Sequence, residues 1–193
     1  MKRLLLLLLL PGCAAELPPT PTKKLDAAQA DVRGEQLGVG EALPPWPTEG
    51  WVQGGPPAGY KLLVVDVWHD WCPFCRQTAP LLVEVYGQYK DRGVQFVSLT
   101  SMDAGAVQNF IKVFRIAWPC AGDLSPEAVG SFGSYNAAQR APGYEVAPTL
   151  LLVGADGKVI WTDRRGRMAH TPPKTIQRGL ADAIAKALAR ENE

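Results

Sequence analysis

Residues 65–80 read VDVWHDWCPFCRQTAP. Two cysteines, Cys72 and Cys75, stand two residues apart, directly after an apolar run and directly before a helical pattern. A pair at that spacing on a strand-to-helix junction reads as a redox dithiol. Upstream, residues 60–68, YKLLVVDVW, form a near-continuous apolar run rich in valine, the pattern of a strand buried on both faces. One acid, Asp66, breaks it. Downstream, residues 72–89 switch to helical spacing, with Leu81, Leu82, Val85, Tyr86 and Tyr89 on one side and Asp91-Arg92-Gly93 closing the pattern. Pro80 inside it should kink the helix.

Working outward, residues 94–99 make a second buried strand, so the segment is a βαβ unit with parallel strands and a right-handed crossover. A further helix follows over residues 104–114, with Asp103 as N-cap, and Ser125-Pro126 opens a short one. Residues 136–145 read as a loop. Residues 149–153 and 158–162 flank Gly154-Ala155-Asp156-Gly157, a hairpin signal. Thr171-Pro172 then caps a final helix with Ile176, Leu180, Ile184, Ala187 and Leu188 in one stripe. This order predicts an α/β fold: a mixed central sheet covered by helices on both faces, with an inserted helix between the βαβ and ββα halves.

The 193 residues suffice for one catalytic domain plus a tail, and 47% hydrophobic and 20% charged residues are ordinary for a globular chain. A formal net charge of +1 gives no reason to expect a nucleic-acid partner. The four cysteines are irregularly spaced, which excludes a disulfide framework and leaves Cys72 and Cys75 as the matched pair.

Residues 1–12 have the parts of a secretory signal: Lys2 and Arg3, seven leucines, then small residues before Cys13. Residues 10–13, LPGC, resemble the lipobox of bacterial lipoproteins, which implies that Cys13 is lipidated and anchors the chain to a membrane. The alternatives are an ordinary cleaved signal or a misassigned start. Residues 13–45, rich in proline, alanine, glycine and charge, read as a flexible tether with a reach of about 30 Å, leaving residues 46–193 as the domain. The expected location is extracytoplasmic, on the periplasmic side if the cell has two membranes.

Together with WCPFC, Asp66 six residues before Cys72, Ala79-Pro80 and Ala147-Pro148-Thr149, these elements resemble the thioredoxin fold over residues 46–189. The inserted helix, tether and exported N-terminus are similar to the membrane-tethered TlpA/ResA type, with Thr78 departing where some of those reductases carry glutamate. The resemblance implies an extracytoplasmic thiol-disulfide oxidoreductase of a group in which several members serve cytochrome c maturation. It also implies exported protein substrates and a membrane thiol protein as electron donor. By the same resemblance Pro148 is a cis-proline facing the cysteines, with the Ala147 backbone free to pair with substrate.

Cys72, at the exposed start of a helix, is expected to be the nucleophile, its pKa lowered by unpaired N–H groups and the helix dipole. Cys75, one turn further in, is the resolving thiol. Asp66, if buried behind them, should have a raised pKa and take the Cys75 proton; the alternative is a structural carboxylate. Pro73 stiffens the turn, Trp71 and Phe74 shape an apolar rim open to substrate, and Trp68 belongs to the core. Phe74 offers the thiolate no charge or ring N–H, which favours a reductase or isomerase over a strong oxidase. No metal and no cofactor beyond the redox disulfide are expected. His69 with the two cysteines is too small a set for a closed site, although a copper chaperone and a redox-inert adaptor are the alternative functions. Cys120 reads as a small buried hydrophobe, and Arg164, Arg165 and Arg167 as a solvated loop.

Overall fold

Every residue of β2 (Leu62–Val67) is buried, because the strand lies inside a sheet covered on both faces. The computed structural model describes residues 37–132, 149–163 and 172–190. In them β2 pairs in parallel with β3 (Val94–Leu99) and antiparallel with β5 (Thr149–Gly154). Beyond β3 come β4 (Cys120–Ala121), parallel to it, and β1 (Trp51–Gln53), antiparallel to β4; beyond β5 lies antiparallel β6 (Val159–Thr162). The order among the described residues is β1-β4-β3-β2-β5-β6, a mixed sheet as expected. β1 and β4 carry no signal in the sequence pattern, since at three and two residues they are too short to express a period.

Alternation along β2 divides the interior in two. Leu62 and Val64 face a layer built by α1 (Pro73–Tyr89), α2 (Ala104–Phe114) and α4 (Pro173–Arg190). Leu63, Val65 and Val67 face the other layer, which holds Val129 and Phe132 of α3 (Pro126–Phe132) together with Trp46 and Trp51. Asp66, in phase with Leu62 and Val64, therefore points to the α1 side. The stripe on α4 is buried at Ile176, Leu180, Ile184 and Leu188, each worth about 2 kcal/mol of apolar burial.

The helix ends follow their sequence signals. Asp103 Oδ1 accepts from the Ala106 N–H at 2.9 Å, and Ser125 Oγ from the Ala128 N–H at 3.2 Å. α1 runs through Pro80 and passes into a short 3-10 turn, Lys90–Arg92. It stops at Gly93, whose φ of 83° suits glycine and whose missing Cβ makes room for the Lys61 side chain.

Residues 40–43, expected to lie within a tether over residues 13–45, pair with the sheet instead. Gly40 N–H donates to Val159 O and Val159 N–H to Glu41 O, both at 2.8 Å, while Leu43 N–H donates to Gly157 O at 3.0 Å. Leu37 and Leu43 pack against the second layer, so this strap belongs to the domain. Backbone pairing to a sheet edge asks little of the side chains, which is why the composition of the strap resembles a linker.

Candidate active site

The site is built where β2 hands over to α1. Trp68 continues the sheet by one bond, its N–H donating to Leu99 O at 3.2 Å, and its buried ring stacks on Phe110 with centroids 3.7 Å apart. This anchors the chain just before the turn that carries the cysteines. Cys72 is the N-cap of α1, with extended backbone at φ −84° and ψ 108°, and Pro73 takes the first helical position. Cys72 and Cys75 form a disulfide with Cα atoms 5.3 Å apart.

Cys72 Sγ accepts from the Cys75 N–H at 3.1 Å, and the Cys72 carbonyl accepts from the Arg76 N–H at 3.2 Å. The sulfur thus occupies the place of a capping oxygen, among the N–H groups that a helix start leaves unpaired. On reduction the same donors and the positive end of the helix dipole stabilise a thiolate there. One expectation is corrected: Cys72 is not exposed. Its relative exposure is 1% and that of Cys75 is 3%, so the N-terminal position of a helix does not by itself place the sulfur in solvent.

Around the pair, Trp71 is 50% exposed, Pro73 is exposed and Phe74 is half-buried against the core, which puts all three on the rim. Trp71 stacks on His69 with centroids 4.7 Å apart and planes 7° from parallel. Burial pushes the His69 pKa below its usual 6.5, with Asp70 acting in the opposite sense. Thr78 is buried, and its Oγ1 has no hydrogen-bond partner among the described residues. No group of three metal-ligating side chains occurs among the described residues.

Asp66 is 4% exposed and lies opposite Ser98 of β3, with Ser98 in turn opposite Cys120 of β4. Ser98 Oγ donates to Asp66 Oδ2 at 3.0 Å, and Trp118 Nε1 donates to Ser98 Oγ at 2.8 Å. Burial pushes the Asp66 pKa from 3.8 up to about 7, opposed by the Ser98 hydrogen bond. The Cys120 thiol is pushed up to about 12, first by burial and then by the Asp66 charge, and it donates to Trp118 O at 3.5 Å. That is the inert buried cysteine the sequence suggests. Ser98 and Trp118 were not singled out from the sequence, although a lone hydroxyl in the apolar run of residues 94–99 is a legible signal.

Cys13, Ala147, Pro148 and the three arginines lie outside the described residues. Thr149, which follows Pro148 in the chain, pairs with Val67, so β5 begins at the end of β2 from which the cysteine turn departs.

Residues 58–176 match the protein family described as Redoxin. The thiol-disulfide oxidoreductase ResA of Bacillus thuringiensis subsp. konkukian is 31% identical over 101 residues, 52% of this chain and 53% of that protein. ResA of Bacillus subtilis is 25% identical over 103 residues, 52% of this chain and 51% of that protein. The chain spans about half the length of the curated relatives it matches. A solution structure from Bacteroides thetaiotaomicron, described as a "putative protein disulfide isomerase", covers 79% of this chain and 91% of its own with a TM-score of 0.62. At 16% identity that likeness is one of fold. The fold is thioredoxin-like.

Proposed function

The chain belongs to the Redoxin family, and from that premise and the geometry of its cysteine pair we propose that it is a thiol-disulfide oxidoreductase acting on exported proteins. The observation that carries the reading is the capping position of Cys72, whose sulfur already accepts a helix N–H at 3.1 Å. The relatives named ResA support it across the half of the chain they match.

In the reducing direction, the Cys72 thiolate attacks one sulfur of a substrate disulfide. A Cys72–substrate disulfide forms, the substrate bond breaks, and the departing substrate thiolate takes a proton. Cys75 then gives its proton to Asp66 and attacks Cys72 Sγ, which forms the Cys72–Cys75 disulfide and releases the second substrate thiolate. Two electrons pass from the pair to the substrate. A carboxyl with a pKa of about 7 is matched to that proton transfer at neutral pH.

Trp71, Pro73 and Phe74 offer the substrate an apolar rim, and Ala147 and Pro148 are the residues that the resemblance assigns to meeting an extended segment of it. Each unit by which the Cys72 pKa is depressed favours the reduced form by about 1.4 kcal/mol, or roughly 30 mV. Phe74 supplies no charge for that purpose, so the reading is a reductase or isomerase rather than a strong oxidase. A membrane thiol protein re-reduces the pair, and apocytochrome c is a candidate substrate. A lipid on Cys13 and the tether that follows hold the domain on the outer side of a membrane. No helix among the described residues is long and apolar enough to cross one.

The test is in vivo trapping with Cys75→Ala, in which the stalled Cys72 adduct identifies the partner. Apocytochrome c in the trap supports the maturation reading, and a broad set of exported proteins supports a general isomerase. Insulin reduction by the wild type that Cys72→Ser abolishes supports the oxidoreductase reading; no reduction by the wild type removes it in favour of a redox-inert adaptor.

A further inference from the structure

On β3 the residues in phase with the α1 layer are Val94, Phe96 and Ser98. Ser98 is fully buried in a strand where a valine would pack, and burying a hydroxyl costs free energy unless it is bonded. It bonds to Trp118 and Asp66, with the Cys120 sulfur also within hydrogen-bond reach, and the chemistry of the first two fixes its direction. An indole N–H can only donate, so Trp118 Nε1, at 2.8 Å, occupies a lone pair of Ser98 Oγ. The single hydroxyl hydrogen is left for Asp66 Oδ2, at 3.0 Å. Trp118 is itself held: its ring meets Phe96 and Tyr86, and its carbonyl accepts from Gln53 Nε2 at 2.7 Å.

The surroundings of Asp66 leave this hydroxyl without a rival. The register neighbour on β5 is Leu150, the neighbour on β3 is Ser98, and Cys120 follows on β4. The Cys120 S–H is directed to Trp118 O. α1 contributes the Cys72–Cys75 disulfide to the same layer, and α4 contributes the apolar side chains of Ile176 and Leu180. Among the described residues no lysine, arginine or histidine offsets the buried carboxylate.

We propose that Ser98, aligned by the Trp118 indole, is a positioning residue for the exchange reaction: it aims one hydroxyl hydrogen at Asp66 Oδ2 and so favours the carboxylate that accepts the Cys75 proton. The proposal rests on the proton role assigned to Asp66, but it is separable from that role by experiment. Ser98 touches neither sulfur chemistry nor substrate in this reading; it acts through Asp66 alone.

The experiment follows the Asp66 carboxyl carbon by NMR against pH in the oxidised full chain, comparing wild type with Ser98→Ala, Ser98→Thr and Trp118→Phe. The rate of the second exchange step is measured against pH on the same proteins. Loss of a hydrogen bond to a charged group should raise the Asp66 midpoint by about one pH unit in Ser98→Ala, leaving about fivefold less carboxylate at pH 7. Ser98→Thr keeps the hydroxyl and should restore the midpoint. Trp118→Phe frees the hydroxyl to rotate and should give a smaller upward shift, and it carries the test should Ser98→Ala not fold. The kinetic profile should move with the midpoint. An Asp66 midpoint that stays put in folded Ser98→Ala, or in Trp118→Phe if it alone folds, overturns the proposal. A midpoint that rises while the kinetic profile stays in place supports the hold of Ser98 on Asp66 and overturns instead the proton role of Asp66.

Discussion

Replacing Asp66 by asparagine should abolish a loss of stability that the oxidised wild type undergoes between acid and alkaline pH. The folded carboxyl has a pKa of about 7 against 3.8 in the unfolded chain, so between those values the folded state keeps a proton that the unfolded state releases. Wild-type stability is therefore fully present below about pH 4, falls as pH rises through the window up to about pH 7, and levels off above it. Three pH units at about 1.36 kcal/mol each amount to roughly 4 kcal/mol, a large share of the stability of a domain this size. The asparagine that replaces it has no proton to lose. Its amide still needs partners, but that cost is independent of pH and cancels when two pH values are compared. Urea denaturation at about pH 4 and about pH 8 reads the effect, which at a slope of about 2 kcal/mol per molar corresponds to a differential midpoint shift of roughly 2 M. If wild type and Asp66→Asn lose or keep stability in parallel between the two pH values, Asp66 does not titrate near neutrality and the reasoning collapses.

Three other outcomes are expected. In native reduced protein at about pH 8, alkylation followed by peptide mass spectrometry should label Cys72 well before Cys120, because both are buried but the Cys72 sulfur lies among helix N–H donors that favour a thiolate whereas the Cys120 thiol is pushed up to about 12. Rapid native labelling of Cys120 would mean that β4 opens. Gly50→Ala should cost at least about 2 kcal/mol in thermal or urea denaturation, since Gly50 has a φ of 81° and an added Cβ would collide with the Gly122 carbonyl; a neutral effect would refute the close approach of these two turns. Leu43→Ala should lower stability by about 2 kcal/mol with insulin reduction unchanged, because it loosens the strap on the layer opposite the cysteines. A loss of activity without a loss of stability would contradict that placement.

The parts of the fold that could be read in advance are those long enough to show a period. The valine run of β2, the stripe of α4 and the caps at Asp103 and Ser125 all sit where their residues demand. Pairings that depend on backbone alone stayed hidden: the short strands at Trp51 and Cys120, and the strap at residues 40–43. At the site, Cys72, Cys75 and Asp66 announced themselves by type and spacing. Ser98 did not, because its importance arises from parallel register, which sets residue 98 beside residue 66 and is a property of two strands rather than of either one. The burial of Cys72 was invisible for a related reason: exposure depends on what the rest of the chain lays over a helix start.

The strap also bears on how selective such a protein can be. β6 is one of the two outermost strands of the sheet among the described residues, β1 being the other, and an outer strand offers unpaired amide and carbonyl groups to any extended chain nearby. With Gly40 and Glu41 already bonded to Val159, that margin is occupied by the protein's own backbone. An extended chain is thereby denied attachment along this part of β6, which lies on the far side of β5 from the strand that leads to the cysteines.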